Sequence, residues 1–255
     1  MPAPLDIPAE HAALVAQLRA EARPYRGGIH NDSYSGSGRP FLNVGAPEMR
    51  RIVRDWAAAH RAAPAAELIA MGDTLFAGEL YEAKILGALL LGYSRGARRA
   101  ATPAMVDVWV GQLNGWAEID SLCASVFGAD ELLADWPAWR GLIERLSVDP
   151  NINKRRAALV LLTTPTRTSD DPRFRDLGFA VVERLKGERH ILITKAVSWL
   201  LRSMAARHGP AVAAYLDAQA PSLPAIAVRE TRTKLRTGTK SGRATAPLLP
   251  RVPRP

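Results

Sequence analysis

Apolar residues recur along most of the chain at three- and four-residue intervals, the period of one buried helix face, and no stretch alternates apolar with polar for long enough to build a sheet. The pattern predicts helices over residues 8–23, 46–61, 64–72, 76–93, 102–113, 116–127, 136–147, 152–163, 171–186, 190–207, 209–218 and 222–236. The connections are short and punctuated by Pro or Gly, among them Pro64, Pro103, Gly128, Pro137, Pro150, Pro165, Pro172, Gly187, Gly209, Pro210, Pro221 and Pro224. Short connections force successive helices to pack as antiparallel pairs.

Such pairs recur loosely every ~35–45 residues, the length of HEAT-type helical repeats. The expected fold is therefore all-α, an α-solenoid of HEAT-like repeats with a concave basic face. Two segments break the pattern. The stretch "RPYRGGIHNDSYSGSGRPFLNVGAPEMRR" joins the first two helices with Gly, Ser and Asn and reads as a loop. The end, "TGTKSGRATAPLLPRVPRP", is basic and Pro-rich. One helical-repeat domain is expected over 1–236, followed by a disordered tail over 237–255.

Composition supports the helical reading. Of 255 residues, 47% are apolar, enough for a sizeable core, and Ala and Leu dominate that set. The single cysteine, Cys123, cannot pair within the chain, and no Cys/His cluster has metal-ligand spacing, so neither metal nor cofactor is expected. The opening residues lack the architecture of a secretory signal and no apolar run reaches membrane-spanning length. A soluble, cytoplasmic monomer is expected. The charge adds more: 34 Lys plus Arg against 25 Asp plus Glu give a formal net charge of +9, a field that favours polyanions such as nucleic acid.

Three places carry candidate chemistry. In "GWAEIDSLC", Trp116 and Asp120 stand four residues apart and project side by side from one helix edge, while Ile119, Leu122 and Val126 point to the core. In "ILITKAVSWLLRSMAARHG", Ile193, Ala196, Val197, Leu200 and Met204 form a core stripe, which leaves Trp199 off that stripe between Lys195 and Arg202. An off-core Trp among cations suits sugars or bases beside phosphates, and equally a cap on a neighbouring helix. In "DPNINKRRAALVLL", Lys154, Arg155 and Arg156 occupy the first turn of a helix, where cations oppose the macrodipole unless an anion relieves them. A solvated charge cluster is the alternative there. "SGSGRP" lacks the lysine and strand context of a phosphate loop, and the five histidines are scattered, so nucleophilic and metal catalysis are not expected.

Taken together these stretches resemble the AlkD family of alkylpurine DNA glycosylases, over most of residues 34–236. "PFLNVGAPEMRRIVRDW" after Tyr34 is similar to the family's Phe-Leu-Gly-x-x-x-Pro-x-x-Arg segment. "GWAEIDSLC" is similar to its Trp-Asp-x-Val-Asp, "NKRRAALVLL" places Arg156 on its functional arginine, and "LITKAVSWLLRSMAARHGPAVAAYL" places Trp199 on its second functional tryptophan. The resemblance implies excision of cationic alkylated purines (N3-alkyladenine, N7-alkylguanine) from double-stranded DNA. It implies Asp120 stabilising an oxocarbenium-like sugar and positioning water, Trp116 and Trp199 flanking the deoxyribose, and Arg156 holding a flanking phosphate, without extrusion of the base. DNA contacts are expected from Lys154, Arg155, Arg156, Lys195, Arg202, Tyr34, Arg39, Arg50 and Arg51. Ala117 replaces the family's first acidic residue, whose role would be lost or pass to Glu118. A non-catalytic binder of damaged or branched DNA on the same scaffold is the main alternative, and a protein-binding helical repeat a further one.

Overall fold

The computed structural model describes residues 4–24 and 36–242. Tyr34 lies outside them, as does the expected tail from residue 243 onward. Among the described residues there is no strand, and the chain is a succession of packed helices. They are α1 (Ile7–Ala20), α2 (Ala46–Ala59), α3 (Ala65–Ala77), α4 (Tyr81–Tyr93), α5 (Arg95–Ala100), α6 (Pro103–Gly111), α7 (Gly115–Cys123) and α8 (Ala129–Ala134). There follow α9 (Trp136–Leu146), α10 (Ile152–Val160), α11 (Thr163–Thr168), α12 (Pro172–Leu185), α13 (Ile191–Met204), α14 (Gly209–Gln219) and α15 (Ala225–Thr237). None is long and apolar enough to cross a membrane.

The repeat is visible in the packing. Helices α2, α4, α7, α10, α13 and α15 each touch the next, forming one continuous row. Their first residues lie 35, 34, 37, 39 and 34 residues apart. A second layer backs this row, in which α1 packs on α3, α3 on α6 and α6 on α9. The fold is thus an all-α helical-repeat solenoid, as the periodicity predicts. Local chemistry sets the boundaries: Asp6, Ser94, Thr102, Asp135, Asn151 and Asp171 each accept a backbone N–H of the helix they precede, satisfying donors that would otherwise be orphaned.

The observed elements depart from the periodic reading at several places. The break expected after residue 72 falls at Gly78, and Gly72 lies inside α3, packed against Leu91. Helices α5 and α8, six residues each, are too short to show a period. The helix expected over 152–163 stops at Val160 and a new one, α11, begins at Thr163. Pro165, without an N–H, is tolerated in that first turn.

The core divides into a large cluster running from Ile69 to Ala227 and a smaller one between Leu14 and Leu90, with Leu68 packed against both. Three of the six tryptophans, Trp56, Trp109 and Trp139, are buried in these cores. Trp136 is explained by an edge-on contact with Phe174 and by Arg173 over its ring. The two that remain are Trp116 and Trp199.

Candidate nucleic-acid interface

The row helices bring the motif residues together although they are far apart in sequence. Trp116 comes from α7, Arg156 from α10, and Lys195, Trp199 and Arg202 from α13, and all five line one open cleft of about 490 Å³. Glu230 of α15 and Lys240 just beyond it complete one end, and Ile191, Leu192 and Ile226 supply an apolar lining. Among the described residues four cations face a single carboxylate in this cleft, so it is basic. Trp199 rests partly on the main core, which fixes its ring.

Asp120 is not part of the cleft wall but is bound to a residue that is. Arg156 donates from Nε to Asp120 Oδ1 at 3.0 Å and from Nη2 to Oδ2 at 2.8 Å, while its Nη1 donates to the Leu192 carbonyl at 2.5 Å. The side chains of Arg156 and Asp120 are 5% and 18% exposed. A fork-on-fork pair of this kind fixes the carboxylate in plane and direction. Burial pushes the Asp120 carboxyl above its ordinary range, and the Arg156 charge and hydrogen bonds pull against that shift. Three of the five guanidinium N–H groups are used and two are left. The phosphate clamp expected of Arg156 is thus first a clamp on Asp120.

Local chemistry also aims α7. Gly115 opens the helix at φ +70°, a backbone that a side chain would strain, and Gly36 at φ +66° passes so close that a Cβ there would meet Gly115 Cα at 3.7 Å. The Gly115 N–H donates to Asn153 Oδ1 at 3.0 Å, tying the start of α7 to the start of α10. Glu118, with a fully buried side chain, receives hydrogen bonds from Ser37 Oγ and, at 2.8 Å, from the Asn114 N–H, and lies 3.4 Å from Arg39 Nε. Glu82 accepts the N–H groups of Leu42 and Val44 at 2.9 and 3.3 Å, so residues 36–44 are laced to α4 and α7 together. The Glu118 carboxylate thus anchors this loop to the start of α7. Glu118→Gln keeps the shape and removes the charge beside Arg39; a loss of about 1.5–3 kcal/mol is expected, read as a lower midpoint in thermal unfolding.

Several expected DNA contacts are placed elsewhere. Lys154 is paired to Asp107 at 2.7 Å and Asp149 at 3.7 Å, and Arg155 to Glu188 at 2.7 Å and the Asp149 and Pro150 carbonyls. The anions that relieve this cationic first turn are the protein's own, and both side chains tie α10 to its neighbours rather than facing the cleft. Arg39 turns inward to Glu118 and the Gln112 carbonyl. Arg50 and Arg51 are exposed on α2, outside the cleft, with Arg51 paired to Glu21. Lys195 and Arg202 do line the cleft. Asn153, Glu230 and Lys240 were not singled out by the sequence, because Asn153 and Glu230 acquire their places from partners distant in sequence and Lys240 from the chain reversal that follows α15. Cys123 is fully buried and burial pushes its thiol up, so it is unreactive.

A family model described as "DNA alkylation repair enzyme" matches residues 14–235, nearly the whole helical region. The chain belongs to this family. It is the family to which AlkD belongs, so the resemblance carried by the four motifs is sound. No curated protein matches the chain. Family membership supports a role in DNA repair, with DNA as the partner, and an open basic cleft with two tryptophans is suited to a polymeric ligand.

Proposed function

We propose that the protein is a monofunctional DNA glycosylase that hydrolyses the N-glycosidic bond of cationic alkylated purines in duplex DNA, acting as a monomer. The observation that carries this reading is the convergence of Trp116, Arg156 and Trp199, from three successive row helices, on one cleft, with Asp120 held by Arg156.

An N3-alkyladenine or N7-alkylguanine already carries positive charge, so its base leaves neutral and the reaction needs no general acid. What the protein supplies is stabilisation of the oxocarbenium-like sugar and a placed water. The carboxylate of Asp120 has about four lone-pair sites and Arg156 takes two, which leaves two to face the sugar and orient water. The tryptophan faces attract a cationic sugar through their quadrupoles, and the two unused N–H groups of Arg156 serve a flanking phosphate. These groups address the sugar and not the base edge, so the chemistry does not require the damaged nucleotide to be swung out of the stack.

The reading is tested by single-turnover release of base from a duplex carrying one N7-methylguanine. It also fixes a pH dependence. The working form of Asp120 is ionised, so the rate falls as pH drops through its folded-state pKa, and burial places that limb above the ordinary Asp value of about 3.9. A rate profile whose acid limb lies at or below that value would contradict the role given to this buried carboxylate.

The bidentate pairing favours one second reading, because a neutralised carboxylate is also what a structural tie between α7 and α10 requires. A non-catalytic DNA binder would use the same cleft, with the Asp120–Arg156 pair serving only stability.

A further inference from the structure

The end of the cleft away from the Asp120–Arg156 pair holds an acid where a DNA-binding surface has least use for one. Glu230 Oε2 accepts from Ser198 Oγ at 2.7 Å and faces Arg202 Nε at 3.3 Å, while its Oε1 faces Lys240 Nζ at 3.4 Å. A hydroxyl, a guanidinium and an ammonium thus surround one anion. Ser198 and Arg202 are a helical turn apart on α13; Arg202 lines the cleft with Trp199, and its Nε also donates to the buried Ser198 Oγ at 3.4 Å. Lys240 reaches back because Gly238, at φ +73°, ends α15 in the left-handed conformation and reverses the chain.

We infer that Ser198, Arg202 and Lys240 form a phosphodiester subsite of the cleft, which the Glu230 carboxylate fills in the free protein and yields to a DNA phosphate. This rests on DNA being the ligand of the cleft, as proposed above. The geometry separates Glu230 from the carboxylates gripped by both sides of an arginine fork. Asp120 meets Arg156 at 2.8 and 3.0 Å, and Glu188 meets Arg155 at 2.7 and 3.1 Å. The charge contacts of Glu230, at 3.3 and 3.4 Å, are looser than the usual charge-assisted hydrogen bond. Lys240 is 60% exposed, so its contact is readily exchanged for a ligand. Among the described residues, Glu230 is also the one acid that lines the cleft. A phosphate offers more acceptor oxygens than a carboxylate and can take all three donors at shorter range.

The consequence is an internal competitor that weakens binding to DNA in general and is released only where the strand seats fully. Affinity for a short unmodified duplex, measured by fluorescence anisotropy at several salt concentrations, tests it. Glu230→Gln should bind about 3–10-fold more tightly, with the slope of log affinity against log salt steeper by about 0.9, the share of one additional phosphate. Asp176→Asn, which removes an exposed carboxylate outside the cleft, makes the same change in net charge and should show less than about a third of that gain. Lys240→Ala, an exposed position, should weaken the wild-type protein about threefold and should abolish most of the gain in the Glu230→Gln background.

Glu230→Gln binding no better than Asp176→Asn would overturn the inference, as would unchanged affinity in Lys240→Ala. Because Glu230→Gln can disturb packing between α13 and α15, the Lys240→Ala result stands as the independent arm. Failure to release alkylated base would sink the glycosylase reading and leave these affinities intact. Base release without the predicted affinity changes would do the reverse.

Discussion

Asp120→Asn is expected to lower the single-turnover rate of base release by about 10²–10³-fold, the range seen when one preorganised electrostatic group is removed from an active site. Affinity for undamaged duplex should stay within about twofold, because the residues that line the cleft, Arg156 among them, are unchanged. Asn preserves the shape and one acceptor, so Arg156 keeps a partner for part of its fork. The combination matters: a residue that serves only to tie α7 to α10 would change stability and binding together, whereas a group acting on the transition state changes the rate with binding preserved. An unaltered rate in this variant would favour the non-catalytic reading.

Removing the other half of the pair should cost both stability and rate. Arg156→Ala leaves the Asp120 carboxylate buried without its counter-charge and takes one donor from the Leu192 carbonyl. Breaking a buried pair in this way costs about 3–5 kcal/mol, which in a protein of this size lowers the unfolding midpoint by roughly 2–4 °C per kcal/mol. The rate should fall by about 10²-fold, because a carboxylate displaced by about 1 Å no longer places its water. Arg156→Lys keeps the charge but not the fork and should recover part of the stability and little of the rate. Full rate in Arg156→Ala, measured below its unfolding temperature, would show that Asp120 needs no such holder.

The sequence made the long helices legible because each buries one face. Residues 171–186 and 209–218 were expected to be helical and are found as Pro172–Leu185 and Gly209–Gln219. What it could not convey was which cation of a consecutive run meets which neighbour. Lys154, Arg155 and Arg156 point about 100° apart around α10, and their partners Asp107, Glu188 and Asp120 lie 47, 33 and 36 residues away. Periodicity describes one helix, and the directions of these three charges depend on three others. The same limit hid Glu230, which meets Ser198 and Arg202 only when α15 closes on α13. Trp116 and Asp120 were legible as neighbours because four residues on one helix fix their juxtaposition without reference to anything else.

The central claim is that this cleft breaks a glycosidic bond, and it is met most directly by incubating the purified protein with a methylated duplex and analysing the free bases and the strands. The account predicts free 7-methylguanine and 3-methyladenine, with the strand intact until mild alkali cleaves it at the abasic sites. Duplex recovered with every methylated base still attached, under conditions where the protein binds it, would contradict the account.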